Sequence, residues 1–254
     1  MNLHQKTLQL LQEKCNCVVV KILSSKDPEY PLGTVLVVTS KESWGNYPLI
    51  QEKLIQYARI SLKDKKSHIA MLENNTLQVY FDVLTAPDQL FIIGAGHIAM
   101  ALCKMATQVG FQVSVLDDRP EFVSKERFPE ATHRLAGDFV STLKGITFSK
   151  DTYLVLVTRG HVHDRDCLRI VLQYDLAYIG MICSLRRRAT TYQLLEQEGY
   201  SKEQLNRIFA PIGLPIGGET PEEISLGIMA EILAVKNQGN EWVWNLKNGS
   251  WMKR

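Results

Sequence analysis

The stretch Leu90-Phe91-Ile92-Ile93-Gly94-Ala95-Gly96-His97-Ile98-Ala99 is an apolar run that passes through G-x-G-x-x-A into helical spacing. Four consecutive apolar residues before a glycine read as a strand buried on both faces. Gly94 permits a tight turn, and Gly96 lets the backbone approach a phosphate closely. Ala99 stands where a third glycine is usual and is small enough for the helix to pack on the strand. A helix opening at His97 offers free N–H groups and a partial positive charge to an anion. Asp117 follows 21 positions after Gly96 (117 − 96), at the end of the run Val113-Ser114-Val115-Leu116. An acid there commonly takes a ribose hydroxyl pair. These residues predict a nucleotide- or pterin-phosphate site, with a fold that binds nothing as the plainer alternative.

Outward from that turn, apolar runs and helical periods alternate. Strands are expected over 90–93, 112–116, 132–135, 152–157 and 177–182, and helices over 97–109, 164–173, 185–198 and 221–236. Such alternation implies parallel strands with right-handed crossovers, a doubly wound Rossmann-type sheet filling 87–254. Thr220 is placed to cap the last helix, with Glu222 and Glu223 in its positive first turn. The tail after Gly239, which carries tryptophans, has no assignable element. Residues 1–86 read as a smaller mixed α/β domain. It has helices over 3–14 and 49–62, strands over 17–23, 34–39, 67–72 and 76–84, a turn at Trp44-Gly45-Asn46 and a tight hairpin at Asn74 and Asn75.

A second polar cluster follows the run Leu154-Val155-Leu156-Val157: Thr158-Arg159-Gly160-His161-Val162-His163-Asp164. Ligands of open α/β sheets sit beyond the carboxyl ends of strands, where this segment falls, so Thr158, Arg159, Gly160 and His161 are candidate ligand contacts. Asp164 reads most simply as the N-cap of the next helix. His161, His163 and Asp164 have irregular spacing for a metal and lack an evident fourth ligand. Arg186-Arg187-Arg188 opens the helix after the strand ending near Ile182. A solvated face competes with a phosphate clamp there, and helical neighbours point about 100° apart, so one arginine is expected to reach a ligand while the others stay solvated. Cys183 lies at the same strand end, either as an inert thiol or as a group that touches a cofactor.

With 29 Lys+Arg against 27 Asp+Glu, the formal charge of +2 gives no basic surplus that would point to nucleic acid or an anionic membrane. There is no apolar run of about eighteen residues and no signal peptide, so a cytoplasmic protein is expected. The five cysteines show no metal spacing and read as free thiols.

Taken together, five segments resemble the XdhC/CoxI family of xanthine dehydrogenase accessory proteins. They are the glycine turn Phe91 to Ala99, Leu116-Asp117-Asp118-Arg119-Pro120-Glu121-Phe122, Thr158-Arg159-Gly160-His161 with Asp164, Tyr178-Ile179-Gly180-Met181-Ile182, and Ala210-Pro211-Ile212-Gly213-Leu214 through Thr220-Pro221-Glu222-Glu223-Ile224. The resemblance implies a maturation factor, not a turnover enzyme. Such a factor binds molybdenum cofactor (molybdopterin), assists its sulfuration with a cysteine desulfurase, and delivers it to a xanthine dehydrogenase-type apoenzyme; a homodimer is an open option. The candidate cofactor contacts, taken from the glycine turn, the two strand ends and the arginine run, are then Gly94, Gly96, His97, Asp117, Thr158, Arg159, Gly160, His161, Cys183 and Arg186. Many relatives carry a cysteine in a glycine-rich segment of the first domain. Here that region reads Lys41-Glu42-Ser43-Trp44-Gly45-Asn46-Tyr47, and the role of that cysteine does not carry over. Two alternatives remain: an NAD(P)-dependent oxidoreductase using Gly94, Gly96 and Asp117, and a non-catalytic subunit of a molybdenum hydroxylase complex.

Overall fold

In the computed structural model, which describes residues 2–13, 15–28, 30–45, 51–159 and 161–247, the chain separates into two compact units, Met1–Pro87 and Asp88–Arg254. Helix α1 (Leu3–Gln12) opens the first unit, followed by β1 (Cys17–Ser25), β2 (Val35–Val38), β3 (Ser43–Gly45), α2 (Gln51–Asp64), β4 (His68–Leu72) and β5 (Leu77–Leu84). The five strands form an antiparallel sheet in the order β3-β2-β1-β5-β4. Alternation along β1 sorts its side chains: Val18, Val20 and Ile22 pack with Leu54 and Ala58 of α2, while Cys17 and Val19 pack with Leu10 of α1. The β4–β5 hairpin turns through three consecutive left-handed residues, Glu73, Asn74 and Asn75. At Trp44 and Gly45, where the sequence reads as a turn, the chain instead pairs with Leu36 and Val37 as the edge strand β3. Asn46, and the first two residues of the helix expected over 49–62, lie outside the described residues.

The second unit runs β6 (Gln89–Ile93), α3 (His97–Gln108), β7 (Gln112–Asp117), β8 (His133–Ala136), α4 (Phe139–Lys144), β9 (Thr152–Leu156), α5 (His161–Val171), β10 (Tyr178–Met181), α6 (Leu185–Gln197), α7 (Lys202–Leu205), β11 (Ile208–Phe209), α8 (Pro221–Gln238) and α9 (Asn240–Lys247). Its six parallel strands lie in the order β11-β10-β9-β6-β7-β8. Numbered within the unit, that is 3-2-1-4-5-6 read from β8, the Rossmann arrangement. The period of two along each strand divides the core: Leu90, Ile92, Val113, Val115, Tyr153 and Val155 face α3 and α8, whereas Phe91, Ile93, Leu116, Leu154 and Leu156 face α4, α5 and α6. Each such side chain contributes about 1.5–3 kcal/mol by leaving water, which fixes the register of the sheet.

Several elements escape the sequence reading. Helix α5 begins at His161, three residues before the expected start, so Asp164 lies inside its first turn and is not its N-cap. Helices α4, α7 and α9 and the two-residue strand β11 lie where the sequence pattern gives no element. Helix α9 occupies the tryptophan-bearing tail. No helix among the described residues is long and apolar enough to cross a membrane.

Candidate functional site

The topological switch point lies between β6 and β9, since the chain leaves β6 toward β7 on one side and returns through β9 on the other. At the carboxyl end of β6, Gly94 takes φ +102°, and a Cβ there would stand 2.5 Å from the Val157 carbonyl oxygen. The turn and the chain leaving β9 therefore touch backbone to backbone, and only glycine fits. Gly96 is different. Its φ of −74° suits any residue, and a Cβ built on it meets nothing within 4 Å among the described residues. Among the described residues no packing requires glycine there, whereas close approach by an outside group would.

Helix capping adds to this contrast. Asn2, Asp138, Ser184, Ser201 and Thr220 cap α1, α4, α6, α7 and α8 with side-chain oxygens. Gly96, the N-cap of α3, has no side chain to offer. The first-turn N–H groups of α3, beside the exposed His97, are left to water or to an anion.

The peptide at Ala95 is gripped from both ends. Its N–H donates to Oδ2 of Asp117 at 2.7 Å, and its carbonyl accepts from Nη2 of Arg127 at 3.2 Å. Asp117 also accepts from the Arg119 backbone N–H at 3.1 Å and from Nε at 2.8 Å and Nη2 at 3.2 Å of its guanidinium. The carboxylate is buried. Burial alone would push it up, but the bonds from the Arg119 side chain and the Ala95 and Arg119 N–H groups outweigh burial and hold it below its ordinary range. The guanidiniums of Arg119 and Arg127 both pack over the Phe122 ring, 3.3 and 4.7 Å from its centre. The acid picked out by its spacing thus anchors the turn and enters any ligand contact already paired with Arg119.

Beyond β9, Thr158 donates its hydroxyl to Asp164, whose other oxygen accepts from Arg187, forming a buried chain from the switch-point loop to α6. Arg159 is exposed and pairs with Asp118 at 3.1 Å, joining the loops after β9 and β7 on either side of the glycine turn. Gly160 lies outside the described residues, and so does the side chain of His161. The His163 ring packs edge-on against Phe139.

The structure therefore gathers Gly94, Gly96, His97, Asp117, Thr158 and Arg159 around the ends of β6, β7 and β9. Cys183 and Arg186 follow β10, one strand further along. Burial pushes the Cys183 thiol up, only partly offset by Arg187 and Arg188, so it rests protonated at neutral pH. The arginine run does not divide into one inward and two solvated members. Arg186 is exposed, Arg187 reaches Asp164, and Arg188 donates to the Ala210 carbonyl at 3.0 Å. Sequence reasoning missed Arg127, whose acceptor Ala95 lies 32 residues away, and named Arg187 only as one of the run, its partner Asp164 lying 23 residues away. Helical periodicity in the run indicated an inward arginine without saying which.

Comparison with known proteins places this geometry. The family model described as the XdhC Rossmann domain matches residues 90–232. A protein of Escherichia coli K12 named YqeB is 26% identical over 254 aligned residues, covering 93% of this chain and 47% of its own length. A probable xanthine dehydrogenase subunit from Bacillus subtilis is 27% identical over 203 residues, covering 80% of this chain and 58% of its own length. The chain thus spans about half the length of these curated relatives. A crystal structure described as a xanthine dehydrogenase from Bacillus halodurans superposes with a TM-score of 0.56 at 17% identity, covering 93% of this chain and 96% of that one, a likeness of fold. With its glycine turn, switch point and strand order all inside the matched region, the chain belongs to the XdhC family.

Proposed function

We propose that this protein is an accessory factor of a xanthine dehydrogenase system, acting in the cytoplasm. In this reading it binds molybdenum cofactor, supports its sulfuration together with a cysteine desulfurase, and delivers it to the apoenzyme. Family membership and the xanthine dehydrogenase names of its relatives support the broader role. The observation that carries the cofactor reading is the cradle at Gly96: among the described residues, open space where a side chain would stand, beside a helix start that no side chain caps. A terminal phosphate fits such a cradle, since it accepts several N–H bonds and favours the positive helix end. The residues that would hold it are Gly96, His97 and the first turn of α3, with Thr158 and Arg159 opposite. When bound, the cofactor supplies a pterin-held molybdenum. The chain's own part is to grip the phosphate and limit access of water.

The engagement of Asp117 favours a pterin phosphate over a dinucleotide. A ribose diol would have to displace Arg119 from a buried carboxylate to which it contributes three bonds. The test is anaerobic purification followed by fluorescence detection of oxidised pterin, with nicotinamide cofactors titrated in parallel. Pterin is expected with the wild-type protein and not with folded Gly96→Val, whose side chain would fill the cradle. Tight nicotinamide binding without any pterin would replace this reading with the oxidoreductase.

A further inference from the structure

Arg165 on α5 and Arg187 on α6 share a feature the glycine turn does not explain. Among the described residues, the Nε of each is buried and has no hydrogen-bond partner. Buried donors are nearly always satisfied, so two on neighbouring helices call for an account. Both arginines line a cleft of about 530 Å³, together with Arg186, Ser184, Thr190 and Thr191. That volume falls within the range of small-molecule sites.

The charge in this cleft is one-sided. Three guanidiniums line it and, among the described residues, no carboxylate does. The acids nearby are committed elsewhere. Asp164 takes one Nη of Arg187 from outside the lining. Glu198, close enough to feel Arg165, is held by Arg169 through Nε at 2.7 Å and through Nη2. Helix α6 begins at the cleft with Ser184 as its cap, so its positive end adds to the same field. Guanidinium forks match the oxygens of a phosphate, and hydroxyls accept or donate to the remainder.

We propose that the cleft between α5 and α6 is a binding site for a phosphate monoester. Nε of Arg165 and of Arg187 meet the phosphate oxygens, and Arg186 closes over them from the exposed rim. Thr190, Thr191 and Leu194 form the remaining wall, where hydroxyl and methyl groups leave room for a short organic stem. None of the described lining residues belongs to the glycine turn or to the loop after β9, so the site is separate from the Gly96 cradle; Arg186, which the sequence reading set at the cofactor, is assigned here instead.

Thermal unfolding with inorganic phosphate and pyrophosphate, against chloride at matched ionic strength, tests this. Measurements in a Gly96→Val background remove the glycine turn as a competing anion site. Both phosphates should still raise the melting temperature there by a few degrees, in a saturable manner that chloride does not reproduce. Adding Arg165→Met or Arg186→Met should weaken the apparent affinity at least tenfold. Arg186 is exposed, so its variant keeps the test decisive even where Arg165→Met fails to fold. A phosphate effect no larger than that of chloride, or one undiminished in the arginine variants, overturns the cleft. An effect present in wild type and absent from Gly96→Val moves phosphate to the glycine turn, sinking this proposal and leaving the cofactor reading intact.

Discussion

The carboxylate of Asp117 accepts the Ala95 N–H on one oxygen and the Arg119 guanidinium on both, at a position exposed by only 2%. Its place, 21 residues beyond Gly96, was legible because one helix and one strand, α3 and β7, must separate the turn from the acid. Its partners were not, since they depend on how the loop after β7 folds back. Asp117→Asn keeps the shape and removes the charge, so it should lower stability by about 1.5–3 kcal/mol at neutral pH. It would also loosen the turn whichever ligand sits there, and so cannot tell a pterin from a dinucleotide. The sign with pH follows from a folded carboxyl held below its ordinary value of 3.8. Its stabilisation is fully present above that value and is lost as pH falls through the folded one. Melting temperatures of wild type and variant should differ by a constant gap from pH 7 to about 5 and begin to converge only as the pH falls below about 4. A gap that persists unchanged into acid would mean the charge of Asp117 is not what holds the turn.

At the scale of elements, the glycine-turn strand, its helix and the 221–236 helix were legible from periodicity and from capping residues placed where helix chemistry demands them. Helix α9 was not, because its anchors are tertiary. Trp244 stacks on Phe209 with ring centres 4.7 Å apart. Lys247 donates to the fully buried Glu231 at 2.6 Å and to the Pro211 carbonyl at 2.6 Å. Glu231 in turn accepts from the Tyr178 hydroxyl at 2.5 Å and the Gly213 N–H at 3.0 Å, so one carboxylate ties α9, β10 and the loop after β11 to α8. Removing Lys247 leaves that charge buried with neutral donors only. Lys247→Met should therefore cost about 3–5 kcal/mol in urea unfolding, and Glu231→Gln in the same chain should recover part of the loss. Strictly additive losses would show that the two side chains do not interact. Strands β3 and β11 escaped because they are three and two residues long, too short to show an alternating pattern.

Across the whole molecule, the hydrophobic cores respect the division at residue 87. Two clusters draw only on residues of the first unit and two only on the second. The change of rhythm from antiparallel pairing to strand–helix alternation made this organisation visible in the sequence. The contents of the α5–α6 cleft were not visible, since its three arginines come from two segments whose spacing carries no common period. A unit with cores of its own on both faces of a sheet has what independent folding requires. Residues 88–254 expressed alone should unfold in urea in one cooperative step, with coincident fluorescence and circular dichroism transitions. Separate midpoints for the two probes would show that this unit depends on residues 1–87.

The double grip on the Ala95 peptide, by Asp117 and by Arg127, bears on how quickly the glycine turn would capture the phosphate proposed for it. A loop that must first close adds a slow unimolecular step, and the observed association rate then levels off as ligand concentration rises. A turn already fixed at both ends of one peptide has no such step to wait for. The proposed capture at Gly96 would then be governed by encounter, its rate rising in proportion to concentration. Differences in residence time among related ligands fall to the dissociation step.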